Sequence, residues 1–239
     1  MAGRLVGGAA AFLLFASGTP SASPARPVEA RTVSFSGYTW TVKSSAGKVG
    51  PGPNYFSSSA DNVWTDANGL HLRITYSGGH WYCAEVVNTQ SLGYGTYSFT
   101  LGSPVDALDP NVTLGLFTWS DRPPYNHREL DIELARWGNA ADPTNGQYVV
   151  QPYDSPGHLV RVTQPPGAPS THSFTWRQGS VAFASSSAVP SSWVFSGSGV
   201  PVPGSEHARM NLWLFQGQAP ADGQQAEVVV KTFSFTPAA

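Results

Sequence analysis

Along the chain, apolar and polar residues alternate in short runs. "GLHLRITY" sets Leu70, Leu72 and Ile74 against His71, Arg73 and Thr75. A period of two sends successive side chains to opposite faces of a strand. The same rhythm recurs in "DNVWT", "WYCAEVV", "GTYSFTL", "TLGLFTW", "RELDIELA", "GQYVVQPY", "HLVRVT", "HSFTWR", "SVAFAS", "RMNLWLF" and "AEVVVKTFSF". Clusters of Gly, Pro, Ser and Asn separate these runs. Asn68-Gly69 suits a tight hairpin turn leading into "GLHLRITY". Beyond the N-terminal segment no stretch carries the period of an amphipathic helix. About a dozen short strands without helices predict an all-β fold, a β-sandwich. Residues 185–204, rich in Ser, Gly and Pro, read as a surface loop or as a rim over a cleft. No change of composition marks a domain boundary, and no internal repeat is found.

One run departs from this pattern in its chemistry. In "HRELDIELARW", residues 127–137, Glu129, Asp131 and Glu133 alternate with Leu130, Ile132 and Leu134. On a strand the acids share one face and the apolar residues point into the core, which fixes the register. Like charges so placed repel, and neighbouring carboxylates push at least one pKa upward. A face that needed only wetting would carry Thr, Ser or Lys. The readings left open are working carboxyls, a calcium-binding face and a plain solvated surface. The first has definite requirements. A retaining glycosidase needs an ionised carboxylate as nucleophile and a protonated carboxyl as acid, about 5–5.5 Å apart. Residues four apart on a flat strand lie about 13 Å apart at Cα. Glu129 and Glu133 must therefore lean together over Asp131, helped by strand curvature. Asp131 can hydrogen-bond one of them and hold the two charges unequal, which is how acid and base roles are assigned.

Composition narrows the partners. The chain has 239 residues, of which 12% are charged and 12% aromatic, and a net charge of −2. That length suits one all-β domain, or two small ones at most. With no run of Lys or Arg, nucleic acid and anionic membrane are poor partners. The first residues place Arg4 before an apolar run over residues 5–16, followed by small residues. This is the pattern of a secretory signal peptide, assigned to residues 1–25, and the run is too short to cross a membrane. The expected product is soluble, exported and monomeric. Cys83 is the single cysteine, so no intramolecular disulfide forms. It reads as a buried apolar filler, since no base is identified beside it. Zinc, phosphate-loop and serine-nucleophile motifs are absent, and no cofactor is expected.

The E-x-D-x-E stretch resembles glycoside hydrolase family 16, in the form found in its lichenase and xyloglucan transglycosylase branch. "WYCAEVVNTQSLGYGTYSFTL", "LFTW", "HSFTWRQGSVAF" and "RMNLWLFQG" follow in family order, so the likeness covers residues 33–236. It implies a concanavalin A-like jelly-roll β-sandwich of two antiparallel sheets with a concave cleft, over residues 32–237. It also implies β-glucan hydrolysis by double displacement, with Glu129 as nucleophile, Glu133 as acid/base and Asp131 between them. Several positions depart from the lichenase pattern. His127 stands where Trp is usual two residues before the nucleophile, and Val87 where Arg follows two after Glu85. Gln151 replaces an expected Asn, the cysteine that would pair with Cys83 is missing, and an Asp that supports a structural calcium is replaced within "EVVVK".

The same-face rule gives the remaining candidates for substrate contact: Phe117 with Trp119, Gln151 with Tyr153, Asn211 with Trp213, and Glu85. Each pair alone is ordinary core packing; beside an acidic strand, aromatic faces suit sugar rings and amides suit their hydroxyls. His127 either contacts sugar or sits at the strand mouth, and Trp137 either reaches the cleft floor or caps the core. The resemblance implies β-1,3 or mixed β-1,3-1,4 glucan as the polymer partner, with a galactan also open. Two rival readings remain. One is a transglycosylase on the same scaffold. The other is a non-catalytic lectin-like module, which would have no need of all three acids.

Overall fold

A computed structural model describes residues 30–167 and 169–239; the expected signal peptide lies outside the described residues. The strands in chain order are β1 (Thr32–Phe35), β2 (Tyr38–Val42), β3 (Tyr55–Phe56), β4 (Val63–Asp66), β5 (Gly69–Ser77), β6 (His80–Asn88), β7 (Gly95–Leu101) and β8 (Val112–Trp119). They continue with β9 (Leu130–Leu134), β10 (Gly146–Val150), β11 (Leu159–Val162), β12 (Ser170–Arg177), β13 (Ser180–Ser185), β14 (Ser192–Ser196), β15 (His207–Leu214) and β16 (Ala226–Pro237). Among the described residues there is no α-helix, only 3-10 turns at Asn126–Arg128 and Phe215–Gly217.

Hydrogen bonding orders the strands β11-β10-β9-β8-β15-β6-β5-β16-β7-β12-β13-β14, with β2 and β3 also on β6 and β4 on β5. All pairs are antiparallel except β3 with β6. β5 bonds β16 through residues 70–74 and β6 through residues 75–77. It therefore passes from one layer to the other, and the strands before and after it form two facing sheets. Side chains meet between the layers: Tyr148 of β10 stacks on Phe183 of β13, with centroids 5.2 Å apart. Trp40 of β2 meets Phe233 of β16 edge-on at 5.1 Å. Leu130, Ile132 and Leu134 are fully buried in this core, so the alternation in β9 orients the strand as expected. Cys83 is buried there too, and burial pushes its thiol up to about 12.

The structure revises three sequence expectations. β14 lies inside the segment read as a loop. Pairing only with β13, it sits at a sheet edge, where Ser and Gly neighbours cost little. The run "GQYVVQPY" leaves the sheet after Val150, because Pro152 has no N–H to give to the ladder. The turn before β5 falls on Ala67 and Asn68, since Asp66 pairs with Gly69. Gly69 is required for another reason: with φ +136°, a Cβ there would run into the Val230 carbonyl of β16.

His71, read as an outward polar residue of β5, is buried. Its Nδ1 lies 2.8 Å from Glu227 and its Nε2 3.0 Å from Asp66, and Trp64 stacks on the ring at 4.4 Å. Burial opposes the imidazolium, but the hydrogen bonds and charges of the two carboxylates outweigh it and raise the pKa. A pKa raised on folding adds stability that is complete below the unfolded histidine value, about 6.5, and is lost as pH rises through the folded one. His71→Phe should therefore lower the urea midpoint clearly at pH 6 and much less at pH 9. Equal losses at both pH values would exclude the ion-bridge role.

Candidate active site

Strand pairing lays the site out as a grid. Glu133 lies opposite Gly115 of β8 and Asp131 opposite Phe117. β8 passes these rows to Asn211 and Arg209 of β15, and β15 passes them to Glu85 and Val87 of β6. Residues in register share a face. One row therefore reads Glu133, Gly115, Asn211, Glu85, and the next Asp131, Phe117, Arg209, Val87. All of these but Val87, with Glu129, Trp119, Trp213 and Lys43, line a cleft of about 550 Å³. Gly115 is a fixed part of its floor, because a Cβ there would collide with the Asn211 amide.

Of the residues predicted from sequence, Glu85, Phe117, Trp119, Glu129, Asp131, Glu133, Asn211 and Trp213 line the cleft. Three do not. His127 lies behind Trp119, ring on ring at 4.1 Å and 9°, with Nδ1 2.8 Å from the Ser120 carbonyl. Gln151 gives its Nε2–H to Asp131 at 3.0 Å and so braces an acid. Tyr153 is 63% exposed, because the chain has already left the sheet at Pro152. Trp137 packs against Trp213 and Phe215 and backs the floor without reaching it.

Other residues of the site were not anticipated. Gln147 of β10 donates Nε2–H to Glu133 at 2.8 Å. Arg161 of β11 holds Gln147 Oε1 at 3.1 Å and Asp142 at 2.9 Å. On the other side Lys43 Nζ lies 2.7 Å from Glu85, and Arg209 bridges Glu85 and Asp121 at 3.1 Å each. Arg209 could have been read from the same-face rule, two residues before Asn211. Lys43 follows an unpredicted strand and gave no signal.

No protein-family model and no curated protein matches the sequence. Solved structures do match in shape. A β-glucanase of Bacillus licheniformis is 18% identical with a TM-score of 0.61, over 83% of this chain and 92% of that one. A lichenase from a mouse hindgut metagenome gives 19% and 0.60, over 83% and 93%. A glycoside hydrolase family 16 endo-glucanase from Bacteroides ovatus gives 13% and 0.59, over 82% and 94%. The fold is the family 16 glucanase jelly roll. In this chain the concave sheet of that jelly roll is the one that carries the acids.

The electrostatics of the cleft follow from burial. Asp131 is 3% exposed; burial, then the charges of Glu129 and Glu133, raise it well above an ordinary carboxyl. Glu129 is pushed up to about 8 by burial and by Glu133, against the pull of Asp131 and Arg209. Burial raises Glu133 to about 7, with Gln147 and Arg161 pulling it back. The three acids therefore retain protons to higher pH than ordinary carboxyls, and a protonated Asp131 can donate to Glu129.

Such burial costs stability. A carboxyl raised on folding destabilises nothing below the unfolded value, about 4.3, and its penalty grows as pH climbs to the folded one. Glu129→Gln should match the native protein in melting temperature at pH 4 and exceed it at pH 8, by at least about 1 kcal/mol or a few degrees. A variant less stable at pH 8 would refute the burial cost. Gln147→Leu should raise the Glu133 carboxyl further, read by carboxyl NMR titration.

Proposed function

We propose that the protein is an exported retaining endo-β-glucanase acting on β-1,3 or mixed β-1,3-1,4 glucan. The observation that carries this is the row of three acids on the concave face, raised in pKa and flanked by Trp119, Phe117 and Trp213. Aromatic faces bind sugar rings by apolar contact, and the amide of Asn211 supplies hydrogen bonds to their hydroxyls. The solved structures of similar shape include a β-1,3-1,4-glucanase and a laminarinase, which supports the glucan reading. A purely binding surface would not need three clustered acids, each raised above its ordinary range.

In the first half-reaction the Glu129 carboxylate attacks the anomeric carbon. Glu133 protonates the leaving oxygen as the glycosidic bond breaks. In the second, Glu133 takes a proton from water, whose oxygen displaces Glu129 and frees the sugar. Asp131, neutral through its burial, donates to Glu129 and removes a third negative charge from between the glutamates. The family likeness, the Asp131 hydrogen bond and the Arg209 charge favour Glu129 as nucleophile.

A 2-fluoro glycoside with a good leaving group should trap the glycosyl-enzyme, and peptide mapping should find the label on Glu129; a label on Glu133 would reverse the roles. Reducing-sugar release across a panel of β-glucans and galactans should name the polymer and vanish in Glu129→Gln. Glu133→Gln should slow turnover of unactivated polymer by about 10²–10⁴-fold and alter activated glycosides far less. No release from any polymer, with binding retained, would make the protein a binding module.

A further inference from the structure

Arg209 stands at the centre of the cleft grid, in the row of Asp131 and Phe117. Its side chain is 12% exposed. Nη1 lies 3.1 Å from Glu85 and Nη2 3.1 Å from Asp121, while Nε is buried and has no partner among the described residues. Neutralising Glu85 does not by itself account for it. Glu85 already holds Lys43 at 2.7 Å through its other oxygen, and Asp121 is 88% exposed, so water screens that pair. A buried guanidinium N–H with no acceptor costs free energy unless a ligand supplies one. Two residues along the same strand face, Asn211 Oδ1 is also buried and unpartnered. The cleft thus presents one free donor and one free acceptor side by side.

The register adds a second observation. The residue directly opposite Arg209 is Val87, the position two after Glu85 at which the lichenase pattern carries an arginine. Directly paired residues have Cβ atoms about 5 Å apart and project from the same face. An arginine at either position therefore projects from the same side of the sheet.

We propose that Arg209 is the substrate-facing cation of this cleft. Its guanidinium, fixed by Glu85 and Asp121, stabilises the negative charge of Glu129 and offers Nε–H to an oxygen of the bound sugar. It does from β15 what an arginine at position 87 would do from β6. The reading rests on Glu129 being the attacking carboxylate, and its charge effect on Glu129 is consistent with the direction in which Arg209 pulls that carboxyl.

The test uses Arg209→Gln, Arg209→Lys, Arg209→Val and the exchange Val87→Arg/Arg209→Val, each checked for fold by circular dichroism; Lys43 keeps Glu85 paired in all of them. Arg209→Gln should move the acid limb of kcat/KM up by about one pH unit or more and raise KM. Arg209→Lys should hold the limb and raise KM, since it keeps the charge but not the planar fork. The exchange should recover activity lost in Arg209→Val. An unmoved limb with unchanged KM in Arg209→Gln would overturn the proposal, and an exchange no better than Arg209→Val would overturn the equivalence of the two positions. Should the native protein release no sugar from any polymer, the hydrolase reading fails separately. The Glu129 carboxyl titration, followed by NMR in native protein and Arg209→Gln, still decides the charge effect. An upward shift in the variant supports it and no shift overturns it.

Discussion

The crowding of Glu129, Asp131 and Glu133 on one strand face, Asp131 buried and both glutamates half-buried, is the constraint around which the rest of the site is arranged. Ionised carboxylates lose hydration there and repel one another, so protons are retained to unusually high pH. Every neighbour supplies part of the compensation. Gln147 of β10 reaches Glu133 and Gln151, just past the end of β10, reaches Asp131, and Arg161 and Arg209 place positive charge on opposite flanks. Unequal environments for like groups let one act as acid and another as base.

The sandwich makes this burial possible. β9 is paired on both sides, so its backbone groups are satisfied, and its apolar face is sealed by the second sheet. The chain enters β9 through an unusual turn. Tyr125, Asn126, His127 and Arg128 all have φ between 49° and 59°, a conformation that costs about 1–2 kcal/mol per non-glycine residue. Its anchors are specific. Ser120 N–H donates to the His127 carbonyl at 2.7 Å, and Thr118 Oγ1–H to that of Arg128 at 2.8 Å. The Arg128 side chain donates to the Val202 carbonyl at 2.9 Å. The turn sets the direction from which Glu129 enters the cleft and stacks His127 behind Trp119. Strain held at a site by its surroundings is a mark of function.

The charges around the cleft form two chains of contacts. Asp142, Arg161, Gln147 and Glu133 make one. Lys43, Glu85, Arg209, Asp121 and the Trp119 indole make the other. Each links the cleft to a rim, so a change in one member is felt by a group that touches no substrate.

The sequence by itself determined the sandwich class, most of the strands and the face on which the acids lie. These are local properties: a period of two has one physical meaning, and Leu130, Ile132 and Leu134 can point only one way once a core exists. It also named the aromatic and amide pairs at Phe117, Trp119, Asn211 and Trp213, because the same rule applies to each strand alone. What depends on which strands become neighbours was decided only by the tertiary structure. Gln147 and Arg161 became supports because β10 and β11 lie beside β9, and Gly115 became floor because Asn211 lies across from it. Gln151 and His127, read as substrate contacts, turn instead to Asp131 and to the Trp119 ring, since their reach is set by the adjacent acid and ring. Tyr153 was lost to a proline that ends the ladder, and β14 was hidden because an edge strand needs few apolar residues. Long-range register has no signature in a single strand, since it is fixed by the packing of all of them at once.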